Sequence, residues 1–163
     1  MAIRHATPVD LPEIVAIYNA SIPGRMATAD LAPVSVADRR RWFADFDPAR
    51  RPIWVACDPA HRPVAWLSLR SFYGRPAYDE TVEVGLYTGP AARRRGHARA
   101  LLGHAMTQAP SLGITTLLAF TFAHNAPSLA LFRSAGFADW GFLPGVAKLD
   151  GVRRDVVILG RAL

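Results

Sequence analysis

At 163 residues the chain is long enough for one domain with a proper core and too short for a second catalytic domain of ordinary size. Hydrophobic residues make up 51% and charged residues 20%, which excludes an intrinsically disordered polymer. The 19 basic residues outnumber 13 acidic ones for a net charge of +6, and Lys148 is the single lysine, so the positive surface is made of guanidinium groups. Arginine suits bidentate contact with phosphate or carboxylate, which favours an anionic partner, be it nucleic acid, anionic lipid or a phosphorylated cofactor. Cys57 stands alone, which excludes an intramolecular disulfide framework and a cysteine-rich zinc site and fits a reducing compartment. The five histidines show no metal-ligand spacing, so no metal is expected. No apolar run approaches the roughly 18 residues of a membrane span, and Met1–Asp10 has no signal-like stretch, so the expectation is a cytoplasmic chain with no membrane partner.

The opening segment Ile3–Ala6 predicts a strand, followed by a helix start at Thr7, Pro8 and Asp10 whose apolar face is Leu11, Ile14, Val15 and Tyr18. A loop spans Ser21–Pro33, and a second helix begins at Ser35 with Asp38 completing a capping box. Ile53–Cys57 and Val64–Leu69 read as a hairpin of two strands. Thr81–Thr88 is a further strand, with Val82, Val84 and Leu86 on one face and Glu83, Gly85 and Tyr87 on the other. Ala98, Leu101, Leu102, Ala105 and Met106 mark an amphipathic helix that ends before Pro110. Thr115–Thr121 is another strand, and Asn125 caps a short helix that stops at Gly136. Two last strands, Phe142–Leu149 and Arg153–Arg161, meet at an Asp150–Gly151 turn. Seven strands and four helices in this order define a mixed α/β (α+β) layer fold in a single domain over 1–163.

The stretch Leu86–Arg99 carries the chemistry. A strand ends, Pro90 turns the chain, and Arg93, Arg94, Arg95, Gly96, His97 and Ala98 open a helix. Unpaired backbone N–H groups at a helix N-terminus, backed by the positive end of the macrodipole, attract anions, and Gly96 lets a pyrophosphate approach with no Cβ in its way. The arginines, Arg99 included, add charge-assisted bonds. Three adjacent arginines alone would be an ordinary solvated helix start; the strand, turn and glycine around them make an anion trap.

Arg93, Gly96 and Ala98 in this setting resemble the [Q/R]xxGx[G/A] acetyl-CoA signature of the GCN5-related N-acetyltransferase (GNAT) superfamily. Asn125, Ser128, Gly136 and Phe137 resemble that family's second cofactor element. Thr81, Val82, Glu83, Val84, Leu86 and Tyr87 resemble the T-V-E strand of its phosphinothricin and methionine sulfoximine acetyltransferase branch. The resemblance implies a mixed, mostly antiparallel sheet of about seven strands flanked by about four helices, splayed between strands four and five. It implies acetyl-CoA as co-substrate and a ternary complex with direct attack. Leu86 and Thr88 would pair with the pantetheine arm, a backbone N–H near Leu86 or Tyr87 would polarise the thioester oxygen, and Asn125 would bond the pantetheine or the strand beside it. Glu83 would be the general base, where position alone would make it a solvated strand carboxylate. Phe132 stands among the cofactor residues where the family has a tyrosine or, in this branch, a histidine that protonates the leaving thiolate; a phenylalanine donates no proton, so no general acid is assigned.

An amino-acid acceptor needs a cation for its carboxylate; Arg75, in a segment before strand four that resembles the branch's substrate loop, is the candidate and Arg25 a second, with Phe72 and Tyr78 as apolar walls. The expected partner is therefore a small amine or amino acid, with homodimerisation by analogy to relatives. Acetylation of a protein N-terminus or polyamine, and a catalytically silent CoA-binding module, are the rival readings within the family. A nucleic-acid binder is the rival from outside it, disfavoured because Trp42, Trp54 and Trp66 alternate with apolar positions and not with basic ones.

Overall fold

The computed structural model describes all residues, 1–163. A single seven-stranded sheet runs in the order β1-β2-β3-β4-β5-β7-β6, formed by β1 (Ala2–His5), β2 (Ile53–Cys57), β3 (Pro63–Ser71), β4 (Thr81–Thr88), β5 (Thr116–Phe122), β6 (Ala138–Leu149) and β7 (Val152–Ala162). Every neighbouring pair is antiparallel except β4 and β5. The four helices are α1 (Leu11–Asn19), α2 (Val36–Ala44), α3 (His97–Gln108) and α4 (Ala126–Ser134).

Both helix starts expected near the N-terminus form by side-chain capping. The Asp10 carboxylate accepts from the Thr7 backbone N–H (2.8 Å) and hydroxyl (3.0 Å), and Ser35 and Asp38 make a complete capping box at the head of α2. The residues between Pro8 and Asp10 tighten into a 3-10 turn, so α1 itself begins at Leu11. The final hairpin is longer than its apolar run suggests: β6 starts at Ala138 rather than Phe142, because backbone pairing with β7 continues through exposed residues that carry no periodic signal.

The sheet separates two apolar layers. On one face Val82, Val84, Leu101, Leu102, Leu117 and Leu159 belong to a core shared by α3, α4 and the sheet centre. On the other, Ile14, Ile17 and Tyr18 of α1 pack on Val55 and Trp66. Trp54 and Trp66 are buried, and the Trp66 indole N–H donates to the Ile14 carbonyl at 3.1 Å, so both serve as core residues. The alternation read from Thr81–Thr88 therefore sorts correctly: the Val82 row faces α3, and the Glu83 row faces the side covered by α1.

Candidate active site

The site begins where β4 and β5 part. Their parallel register covers only Thr81↔Thr116, Val82↔Leu117 and Glu83↔Leu118, after which the remaining residues of β4 have no partner on that side. Two bonds at the ends of the β3–β4 ladder, Phe72 N–H to Thr81 O and Gly89 N–H to Val64 O, set its phase. Hydrogen-bonded pairs alternate along an antiparallel ladder, so odd-numbered residues of β4 turn their backbone groups to β3 and even-numbered ones turn theirs to the fork. The Glu80 carbonyl, accepting from Thr115 and Thr116, lies on the same even-numbered side. Leu86 and Thr88 thus present unpaired N–H and C=O groups into the cleft. Tyr87 does not: its backbone pairs with Trp66, so of the two residues only Leu86 has an N–H free of the sheet on that side.

At the mouth of the fork the chain passes through a short 3-10 turn, Pro90–Ala92, and enters α3 with two left-handed residues, Arg94 (φ 58°) and Gly96 (φ 83°). The left-handed value at Gly96 is one a side chain adopts at a cost, and open space surrounds the position a Cβ would take. Arg93, Arg94, Arg95 and Arg99 are exposed and make no ion pair within the chain, so four guanidinium groups surround a helix N-terminus with their charge uncompensated. His97 and Ala98, half-buried, form the first turn with their N–H groups outward, and the His97 Nδ1 lies 2.9 Å from the Met1 sulfur. These donors, together with the open edge of β4, fit an elongated ligand with a pyrophosphate at one end and amide groups along its arm.

Glu83 occupies the last paired step before the fork, and its side chain is 29% exposed. One carboxylate oxygen accepts from the Arg70 guanidinium at 2.7 Å, directly across from it on β3. Arg70 lies beyond the Val64–Leu69 run read from the sequence; the register of β3 against β4, which composition does not reveal, brings it to the base. Beside them, Phe72, Tyr73 and Tyr78 form a cluster of rings with centroids 4.1 to 5.8 Å apart, in the loop that also exposes Arg75.

A strap closes the other side. Residues 25–28 cross the fork and are held from the β5–α4 turn, β4 and α1: His124 meets the Arg25 carbonyl (2.8 Å), Asn125 Nδ2 donates to Met26 O (2.8 Å), the Tyr87 hydroxyl reaches Ala27 O (3.4 Å), and Tyr18 bonds the Thr28 hydroxyl (2.6 Å). Burial pushes the Tyr87 phenol well above its ordinary range, so it keeps its proton and acts as a donor to the strap. The strap has no signature in the sequence, because three of its four bonds run to backbone carbonyls of a loop with no pattern.

The strap and the core account for the surroundings of several expected site residues. Arg25 is not a free carboxylate cation: its guanidinium donates to both oxygens of Asp150 (2.7 and 3.1 Å) and to the Ile22 and Leu31 carbonyls. The Asn125 amide is engaged at both ends, since its oxygen accepts from the Ser128 N–H (3.2 Å) as the α4 cap and its nitrogen donates to Met26, so it positions strap and helix together. Ser128 stays half-buried in the first turn of α4. Phe132 is a core residue, 5% exposed and packed edge-on to Phe137 at 5.1 Å. Gly136 ends α4 in a left-handed conformation (φ 83°) and lets Phe137 turn back into the core beside it.

A strand-turn-helix anion site, a forked parallel pair and a carboxylate at the fork are the features of an acyltransferase built on a nucleotide thioester. The acetyltransferase (GNAT) family model matches residues 14–137, and the chain belongs to this family. It is 49% identical over its full 163 residues, and 99% of the relative's length, to Bacillus subtilis YwnH, whose name provisionally makes it a phosphinothricin acetyltransferase. It is 30% identical to the L-methionine sulfoximine/L-methionine sulfone acetyltransferase of Pseudomonas aeruginosa, covering 97% of this chain and 92% of the other. Among solved structures it superposes with a TM-score of 0.94 on a GNAT superfamily phosphinothricin acetyltransferase from Sinorhizobium meliloti in complex with acetyl-CoA, at 28% identity over 99% of this chain and 88% of that one.

Proposed function

We propose that the chain is an acetyl-CoA dependent N-acetyltransferase for the α-amine of a small amino acid or analogue, of the phosphinothricin and methionine sulfoximine class. The observation that carries the reading is Glu83 at the point where β4 leaves β5, with an open backbone edge on one side and an exposed aromatic loop on the other. Acetyl-CoA supplies an activated acetyl thioester. The α3 N-terminus with Arg93, Arg94, Arg95, Gly96, His97, Ala98 and Arg99 holds its phosphates, Leu86 and Thr88 pair with its arm, and the Leu86 N–H polarises the thioester oxygen. Phe72 and Tyr78 wall the acceptor's side chain, with Arg75 at the loop tip. Glu83, directly or through one water, takes one proton from the incoming ammonium; the C–N bond replaces the C–S bond; the second nitrogen proton ends on the departing thiolate, which leaves as the thiol. A thiol of pKa near roughly 8.5 leaves without a dedicated acid, in keeping with the buried Phe132.

The domain acts in the cytoplasm, which the single free and buried Cys57 fits. It pairs with a second copy through the C-terminal hairpin, where β6 is the edge of the sheet and exposes Trp140, Phe142 and Val146.

The test is thiol release from acetyl-CoA against L-methionine sulfoximine, L-methionine sulfone, phosphinothricin, spermidine and a short peptide. Release with the amino acids alone is the expected result, and release with spermidine or peptide alone would replace this acceptor class. Glu83→Gln is expected to lower kcat by about a hundredfold or more with the acetyl-CoA Kd unchanged; an unaltered kcat would remove Glu83 as the base.

A further inference from the structure

An α-amino acid carries its carboxylate on the carbon next to its amine, so an oxygen of one lies roughly 3 Å from the nitrogen of the other. The cation that receives the carboxylate must therefore stand against the base that receives the amine's proton. The four free guanidinium groups of the α3 collar stand at the phosphate end of the site, and elsewhere Arg25 is taken by Asp150, Arg39 by Asp30, and both Arg50 and Arg51 by Asp79. Arg75 is free but makes no contact with Glu83. Arg70 is different, because its one hydrogen-bond partner is the candidate base itself, at 2.7 Å, and its side chain remains 61% exposed.

We infer that Arg70 is the specificity residue that takes the acceptor's α-carboxylate, by exchanging its ion pair with Glu83 for one with the substrate. The inference rests on the acetylation of an α-amino acid proposed above. Before the acceptor arrives, Arg70 and Glu83 satisfy each other. The acceptor brings one charge of each sign in the matching order, so a single pair becomes two: guanidinium to substrate carboxylate, and Glu83 to substrate ammonium. The exchange is easily made because an exposed ion pair holds weakly, whereas a guanidinium–carboxylate fork can be bidentate and charge-assisted. It also links recognition to catalysis, since Glu83 is relieved of its partner when an acceptor with a carboxylate binds. Gly85, next on the same face of β4, has no room for a side chain; a Cβ there would stand 2.8 Å from the Ser68 hydroxyl.

The test compares L-methionine sulfone with methylsulfonylpropylamine, the same molecule without its carboxylate, in wild type, Arg70→Gln and Arg70→Lys. The expected result for Arg70→Gln is a KM for the amino acid raised by about 30-fold or more with kcat changed by less than about threefold, while kcat/KM for the carboxylate-free amine does not fall and rises where release of Glu83 from Arg70 assists it. Arg70→Lys, which keeps the charge and loses the fork, falls between. A purely structural cross-strand pair would lower thermal stability and leave the two KM values in their original ratio, which overturns the inference while acetylation stands. No thiol release by wild type with any amino acid would overturn the proposed function itself, and this inference with it. Should Arg70→Gln not fold, wild type is assayed with the methyl ester of L-methionine sulfone: loss of the carboxylate charge is expected to raise KM to the same degree, and an unchanged KM overturns the inference.

Discussion

Glu83 and Arg70 draw their significance from a few ångströms of register, and two other residues show the same dependence on local geometry. Gly96 sits at φ 83° at the head of α3, where an alanine would be strained by about 1–2 kcal/mol. Gly96→Ala is expected to lower the midpoint of thermal unfolding and to weaken acetyl-CoA binding in calorimetry, because relief of the strain turns the following N–H groups away from the phosphates. Asp10 is 6% exposed and accepts both Arg4 nitrogens, at 2.7 and 2.8 Å. These bonds hold its carboxyl below the usual carboxylate range. A group depressed in the folded chain stabilises it above the unfolded value near about 4, and that contribution vanishes as pH falls through the folded value. Asp10→Asn is thus expected to destabilise by about 1–3 kcal/mol at neutral pH, with the difference from wild type shrinking on acidification; urea titrations across that range measure it.

The strap and α4 form one mechanical unit, since the Asn125 amide caps the helix and holds Met26 at the same time. Asn125→Ala is expected to cost about 1 kcal/mol of stability through the lost cap. Freed at its centre, the strap stops shaping the acceptor side of the fork, so the acceptor KM rises while the acetyl-CoA Kd, set by α3 and the edge of β4, stays within about twofold; the two parameters are separable in steady-state kinetics and calorimetry. The arginine collar of α3 makes a complementary statement. Its four charges are uncompensated within the chain, so acetyl-CoA binding should weaken steeply with added salt, whereas a ligand held only by the fork would not respond.

For the whole molecule, the sheet has one covered half and one bare edge. α1 packs on β3 and β4 and α3 on β2, β3 and β4, while β6, at the far end, exposes Trp140, Phe142 and Val146. A second copy seated there would cover this patch. Light scattering is expected to give twice the mass of the 17.8 kDa chain, and Phe142→Lys with Val146→Lys to give a folded monomer, both positions being solvent-facing in the single chain. A wild-type mass of one chain would dismiss the dimer.

Local physics made much of this legible in the sequence. The Ser35–Asp38 capping box, the alternation along Thr81–Thr88 and the glycine at the head of α3 each depend on residues within a few positions of one another, and each stands in the structure as read. Phe132 showed that no proton could come from its position, though not that its ring would turn into the core. What tertiary structure alone decided are relations between distant segments. The phase of β3 against β4 aims Leu86 at the fork and Tyr87 away from it, and the same phase brings Arg70 to Glu83. Packing brings Arg25 to Asp150, 125 residues away, and turns an apparent substrate cation into an anchor. Such contacts follow from loop closure and from the burial of both sheet faces, free energies summed over the whole chain, and no short window of residues encodes them.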